Sequence, residues 1–154
     1  MIHKNINFDH ILLDVGASNK KQLHKHLAQI IAKKLNVSEQ KTLIKMVSQD
    51  KKHDIAIGNG VAITKISFSE ITAPQIILAR LKNSDDFDTP DNLPVDLYCI
   101  VIAPQANTGV GLQLMSSLSR VMNDAFLCDQ MRCMHSEEEI FQMMNERQII
   151  RRAA

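Results

Sequence analysis

Tryptophan is absent from this 154-residue chain and aromatic residues make up only 4% of it. Leu, Ile, Val and Met must therefore fill the core, within a hydrophobic fraction of 45%. Neither sign of charge is in excess: 18 Lys and Arg stand against 17 Asp and Glu. A formal net charge of +1 excludes a general attraction to nucleic acid or to an anionic membrane. The three cysteines, Cys99, Cys128 and Cys133, form no CxxC pair and read as reduced, mostly buried thiols. No apolar run approaches the roughly 18 residues that a membrane span needs. Met1 to Asp14 mixes His3, Lys4, Asp9 and His10 among its apolar residues, unlike a signal peptide. A cytoplasmic protein without membrane insertion is expected. Internal repeats, low-complexity stretches and interdomain linkers are missing too, so 1–154 reads as one domain, with 1–16 an N-terminal segment and 147–154 a fraying tail.

What is present is a pattern of helices and strands. Ser18 or Asn19 can cap a helix whose apolar residues Leu23, Leu27, Ile30, Ile31 and Leu35 recur at three- and four-residue spacing, with Lys33 and Lys34 at its negative end. Ser38 caps a second helix with Leu43, Ile44, Met46 and Val47, expected to end near Ser48. The β-branched residues around Gly58, Asn59 and Gly60 predict a tight turn between short strands. Pro74 to Leu81 predicts another strand. Val95 to Ile102, fenced by Pro94 and Pro104, is apolar enough to be central in a sheet. After Asn107 the helical period returns in Leu112, Met115, Leu118, Val121 and Met122, and Ser136 with Glu139 forms a capping box for a last helix. The fold class is α/β: a single layered domain.

Metal chemistry has little to stand on. His24 and His26 are two apart on a helix, poor spacing for shared ligation, and are expected to be solvated. His3, His10 and His135 stand alone. The acidic run Asp85, Asp86, Asp88, Asp91 and Asp96 lacks the Asp-x-Asp-x-Asp-Gly order of a calcium loop and suits turns and caps. No cofactor or metal is expected.

Two stretches carry a resemblance. Ala56 to Lys65 (AIGNGVAITK) is similar to GIGxGIAIPH, and Phe87 to Pro104 (FDTPDNLPVDLYCIVIAP) to FDAxDxxPVDLxFxLxxP, the active-site strand and a later strand of the fructose/mannitol IIA family of the phosphotransferase system. The likeness is nearest to its nitrogen-regulatory branch and extends from about Ala17 onward. The resemblance implies a mixed β-sheet with helices on both faces, and a phosphoryl carrier whose histidine takes its group from a histidine-phosphorylated carrier protein. It also implies protein partners: the phosphocarrier, potassium-transport proteins or sensor kinases.

At the position the resemblance gives to that histidine stands Lys65, preceded by Thr64 where the motif has proline. A second histidine of the family falls at Gly111, a Ser-Thr pair at Asp54 and Ile55, and an arginine at Gln49. Neutral imidazole offers a lone pair near pH 7. A lysine amine, with an ordinary pKa of about 10.4, is neutral in less than roughly one molecule in a thousand there. Making such an amine half neutral costs about 4.6 kcal/mol, so neither phosphoryl acceptance nor Schiff-base chemistry is expected of it. Asp54 would repel a phosphoryl oxygen and Ile55 could not hydrogen-bond one. The Gly58-Asn59-Gly60 turn is retained, for which a tight connection needing positive φ is reason enough. The expected function is a regulatory protein-binding module with no intact catalytic residue. The alternative is an active carrier using a displaced acceptor, His53.

Overall fold

Five strands and five helices are found in the computed structural model, which describes residues 6–53, 55–82 and 93–153, with side chains described as far as Arg147. In chain order they are β1 (His10–Val15), α1 (Lys20–Leu35), α2 (Glu39–Lys52), β2 (Ala56–Gly58), β3 (Val61–Phe68), β4 (Gln75–Leu81), β5 (Leu97–Pro104), α3 (Thr108–Met122), α4 (Ala125–Cys133) and α5 (Glu137–Ala153). The sheet runs β1-β4-β5-β3-β2. It is mixed: β1 with β4 and β3 with β5 are parallel, β4 with β5 and β2 with β3 antiparallel. All eight residues of β5 are buried, which is why this stretch reads as a continuous apolar run.

Alternation along each strand sorts the core into two layers. Ala62, Ile66, Ile77, Tyr98 and Ile100 meet Leu23, Leu27 and Ile31 of α1 and Met46 of α2. Val61, Ile63, Leu78, Cys99 and Val101 meet Leu114 and Leu118 of α3, Met131 of α4 and Ile140 of α5. The caps are as their side-chain chemistry demands. Asn19 Oδ1 accepts from Gln22 N–H (2.8 Å), Ser38 Oγ from Lys41 N–H (3.2 Å) and Ser136 Oγ from Glu139 N–H (3.2 Å). Glu139 reaches back one residue further than a capping box requires, to His135 N–H at 3.3 Å.

The expectations for the end of α2 and for Leu112 are corrected. The 1–16 segment contains the edge strand β1, whose short and mixed HILLDV sequence resembles a loop. α2 does not stop near Ser48 but runs to Lys52, with Lys51 and Lys52 at its negative end and Asp50 paired to Lys20 of α1 at 2.9 Å. α5 continues to Ala153, across the stretch from 147 that was expected to fray. Leu112 is 59% exposed, because α3 turns Gly111, Leu114 and Leu118 to the sheet instead. The acidic run from 85 to 91 lies outside the described residues.

The histidines also separate. His26 is half-buried, its Nδ1 2.9 Å from the Gly16 carbonyl oxygen, and the half-buried His10 ring approaches Gln75 Oε1 at 3.1 Å. His24, expected in solvent, is 2% exposed on the inner face of α1. Its ring meets Tyr98 edge-to-face, centroids 6.3 Å apart, and its Nε2 has no hydrogen-bond partner among the described residues. Burial pushes the His24 pKa below the ordinary imidazole value, with Asp50 opposing and Lys20 reinforcing. The folded state therefore binds this proton less readily than the unfolded chain. Its contribution to stability is complete above the unfolded pKa of about 6.5 and is lost as pH falls below it. Urea midpoints should drop between pH 7.5 and 5.5, and the drop should shrink in His24→Phe; an unchanged pH dependence would remove His24 as its source.

Burial also raises the thiols. Cys99 is pushed well above its usual range and Cys128 to about 11, while Cys133 is exposed. Cys99 and Cys128 are therefore core residues rather than nucleophiles.

Candidate functional site

β3 places two neighbouring side chains on opposite faces of the sheet. Thr64 points to the α1/α2 layer and is 1% exposed; its Oγ1 has no partner among the described residues. Leaving a hydroxyl so costs about 1–3 kcal/mol. Lys65 points to the α3 layer, opposite Val101 of β5 in register, and is half-buried. Its stem runs over the first turns of α3 at Gly111. A β-carbon built on Gly111 would stand 2.8 Å from Lys65 Cδ and 2.8 Å from Ala103 Cβ. The two residues are thus one packing unit: the lysine stem fits because position 111 has no side chain.

Beyond Ala62, β2 no longer pairs with β3, whose outer side is then open save for the Ile63 N–H donating to Ile55 O at 2.8 Å. An open cleft of about 300 Å3 lies along this edge, lined by Ile44, Lys45, Ser48 and Gln49 of α2 and by Lys65, Ile66, Ser67 and Gln105. Lys45 holds its ammonium 5.1 Å from the centre of the Phe68 ring. Among the described residues the Lys65 side chain forms no ion pair and no hydrogen bond.

The residues singled out from the sequence divide accordingly. Lys65 and Gln49 share the cleft, with Gly111 beneath Lys65. Thr64 and Ile55 belong to the core instead, Ile55 being 6% exposed. Asp54 lies outside the described residues. His53 is the exposed C-cap of α2, its backbone N–H donating to Gln49 O at 3.0 Å. The turn has φ of 99°, 55° and 76° at Gly58, Asn59 and Gly60. Five strand positions separate Gly60 from Lys65, about 16 Å at the usual rise, so the turn is no part of the cleft.

What holds the turn is Arg132 of α4, which donates to Asp96 Oδ2 (2.7 Å), to Asp129 Oδ1 (3.0 Å) and to the Asn59 carbonyl oxygen. Asp96, taken from the sequence as a turn residue, is thus the pivot of an ion-paired latch. Lys45, Ser48, Ser67 and Gln105 were not anticipated in the cleft. Helical spacing could have shown Lys45 three and four residues before Ser48 and Gln49 on one face of α2, and the period of two places Ser67 beside Lys65. Among the described residues no cluster of His, Cys, Asp and Glu could hold a metal ion, and no helix is long and apolar enough to cross a membrane.

This architecture is shared with known proteins. The model of the family described as phosphoenolpyruvate-dependent sugar phosphotransferase system, EIIA 2, matches residues 4–147. A nitrogen regulatory protein of Klebsiella oxytoca is 28% identical over 133 residues, 86% of this chain and 82% of that protein. Among solved structures, nitrogen regulatory protein IIA-Ntr from Neisseria meningitidis superposes with a TM-score of 0.79 at 24% identity, covering 88% of this chain and 92% of that one. The complex of enzyme IIA-Mtl with phosphorylated enzyme IIB-Mtl from Escherichia coli matches with a TM-score of 0.69 at 15% identity, covering 92% and 97%. Together with the mixed five-stranded sheet clothed by helices on both faces, the match over most of its length makes this chain a member of the phosphotransferase-system EIIA type 2 family, similar to its nitrogen regulatory proteins.

Proposed function

We propose that this protein is a regulatory binding module of the nitrogen-regulatory IIA type that does not carry a phosphoryl group at the family position. The observation that carries this reading is the cleft itself: among the described residues its lining includes Lys65, amides and hydroxyls, and no imidazole. A protonated amine has no lone pair with which to attack phosphorus. Gln49 and Gly111, at the positions given to an arginine and a second histidine, supply neither a cation nor an imidazole for a phosphoryl group. The binding role, with partners of the phosphocarrier, potassium-transport or sensor-kinase kind and a cytoplasmic setting, follows from the family resemblance. With about −1.5 to −2 charge brought by a phosphoryl group elsewhere in the family, a permanent ammonium mimics the unphosphorylated state, and the module signals constitutively or competes with an intact relative.

The second reading, phosphorylation at His53, is favoured by that residue's exposure and its link to Gln49. It is opposed by position: His53 caps the C-terminus of α2, where the helix dipole repels a dianion. Incubation with phosphoenolpyruvate and the general carrier enzymes, followed by intact-mass spectrometry, separates the two. No acid-labile adduct is expected. A stoichiometric adduct overturns the binding-module reading, and its loss in His53→Ala assigns the acceptor.

A further inference from the structure

A second cleft, of about 430 Å3, lies at the other border of the sheet, beside the edge strand β1. Its walls come from β1, from α1 on one face of the sheet and from the first turn of α5 on the other. Leu13, Val15 and Ile30 line it and are each half-buried, so they keep apolar surface to offer. The polar lining is His26, Gln29 and Glu137. His26 stands three and four residues before Gln29 and Ile30, which puts all of them on one face of α1. The Gly16 carbonyl oxygen, 2.9 Å from His26 Nδ1, can only accept. The neutral ring therefore keeps its proton on Nδ1 and leaves the Nε2 lone pair bare. Among the described residues Glu137 makes no ion pair, and neither Glu137 nor Gln29 makes a side-chain hydrogen bond. The lining holds no lysine or arginine: Lys82 passes its stem by Gly16 outside it, and Arg80 is tied to Asp14.

We infer that this cleft binds a small organic ammonium ion, a primary amine carried on an apolar body. The polar groups select the head. A carboxylate and a bare imidazole nitrogen both accept hydrogen bonds, so the ligand must donate them, and the single carboxylate matches a single positive charge. An anion would face Glu137 with no cation in the lining to answer it. Leu13, Val15 and Ile30 select the body, and the volume falls in the range of small-molecule sites. The border itself argues against an extended peptide as occupant: the register shift between Leu12 and Val15 and the φ of 55° at Asp14 break the ladder that an added strand would need. Because β1 and β3 stand apart in the sheet order, this site is separate from the Lys65 cleft, and the inference does not depend on whether Lys65 is phosphorylated.

Amide NMR titration of the full chain with phenethylamine tests it, with phenethyl alcohol and hydrocinnamate presenting a similar body under a neutral and an anionic head. Saturable shifts at Gly16, Gln29 and Glu137 are expected with the amine, with a Kd of about 1 mM, weakening as salt is added. The alcohol should bind about fivefold more weakly, having lost the charge, and hydrocinnamate should not saturate. Methylamine, which has the head without the body, should not saturate either. Glu137→Gln should weaken the amine by about two- to fivefold and leave the alcohol unchanged, as an exposed carboxylate predicts. The inference is overturned by absence of saturation with phenethylamine, by equal affinity for the amine and the alcohol, or by saturable shifts confined to other parts of the chain. Equal amine binding by wild type and Glu137→Gln overturns it as well. Should Glu137→Gln not fold, the comparison of the amine with the alcohol on the wild-type chain decides the matter alone.

Discussion

Gly111→His is expected to lower folding stability by about 2 kcal/mol and to leave the protein unphosphorylated, even when combined with Lys65→His. Two opposed effects decide the sign. Replacing a helical glycine gains up to about 1 kcal/mol of backbone entropy relative to alanine, less for histidine. Against this, any β-carbon at 111 comes within 2.8 Å of Ala103 Cβ and of Lys65 Cδ. The lysine carbon can move. Ala103 cannot do so easily, because it lies in the fully buried central strand, and overpacking there costs about 1–3 kcal/mol. Truncating the lysine therefore removes only part of the strain, and two restored imidazoles would not sit as a pre-organised pair. Gly109→Ala is the control: its β-carbon would meet only Asn107 Oδ1, at 3.7 Å, and stability should stay level or rise slightly. Urea denaturation of the three variants checks the stabilities, and phosphoenolpyruvate-dependent labelling the chemistry. Full stability together with stoichiometric labelling of Lys65→His/Gly111→His would show that the pocket had been disabled by those two positions alone.

Gly60→Ala should cost more, about 3 kcal/mol, since it combines a left-handed backbone with a blocked β-carbon. At φ of +76° a β-carbon carries a penalty of about 1–2 kcal/mol before any contact is considered. It would then stand 2.6 Å from Arg132 Nη2, 2.8 Å from Asp96 Oδ1 and 3.1 Å from the Pro94 carbonyl oxygen. A loss of that size lowers the melting temperature by roughly 6–12 °C in a domain of this length. Because the first two obstacles are the ends of a latch, Arg132→Ala should absorb part of the cost. The double variant Gly60→Ala/Arg132→Ala is expected to be less destabilised than the sum of its singles. Strict additivity in thermal melts would mean that the latch does not crowd the turn.

The residues whose local chemistry and tertiary role agree were readable in the sequence. Asn19 and Ser38 cap helices because their oxygens satisfy orphan amides wherever the helix packs, and the stretch before Pro104 is central because nothing in it tolerates water. β1 escaped notice because an edge strand needs few apolar residues, and its existence depends on β4, more than sixty residues away. His24 is a different case. It falls on the same stripe as Leu27 and Ile31, so helical spacing already placed it inside, and the ordinary preference of histidine for the surface misled. In the site, the family resemblance grouped Thr64, Lys65 and Ile55 in one pocket. The period of two sends Thr64 to the other face, and Ile55 into the core, leaving Lys65 with helix α2 and with Ser67 and Gln105. That company is a product of topology, which no local pattern encodes.

β1 has one more consequence. It lies at the border of the sheet, and its last residues leave strict register between Leu12 and Val15, with Asp14 at φ of 55° and tied to Arg80. Such a bulged, charged border offers a poor template to another chain. Behind it runs β4, whose Ile76, Ile77 and Leu78 are buried and would make a flat and sticky one. β1 therefore serves as a selvedge: the strip that finishes the fabric and keeps the sheets of different molecules from knitting together.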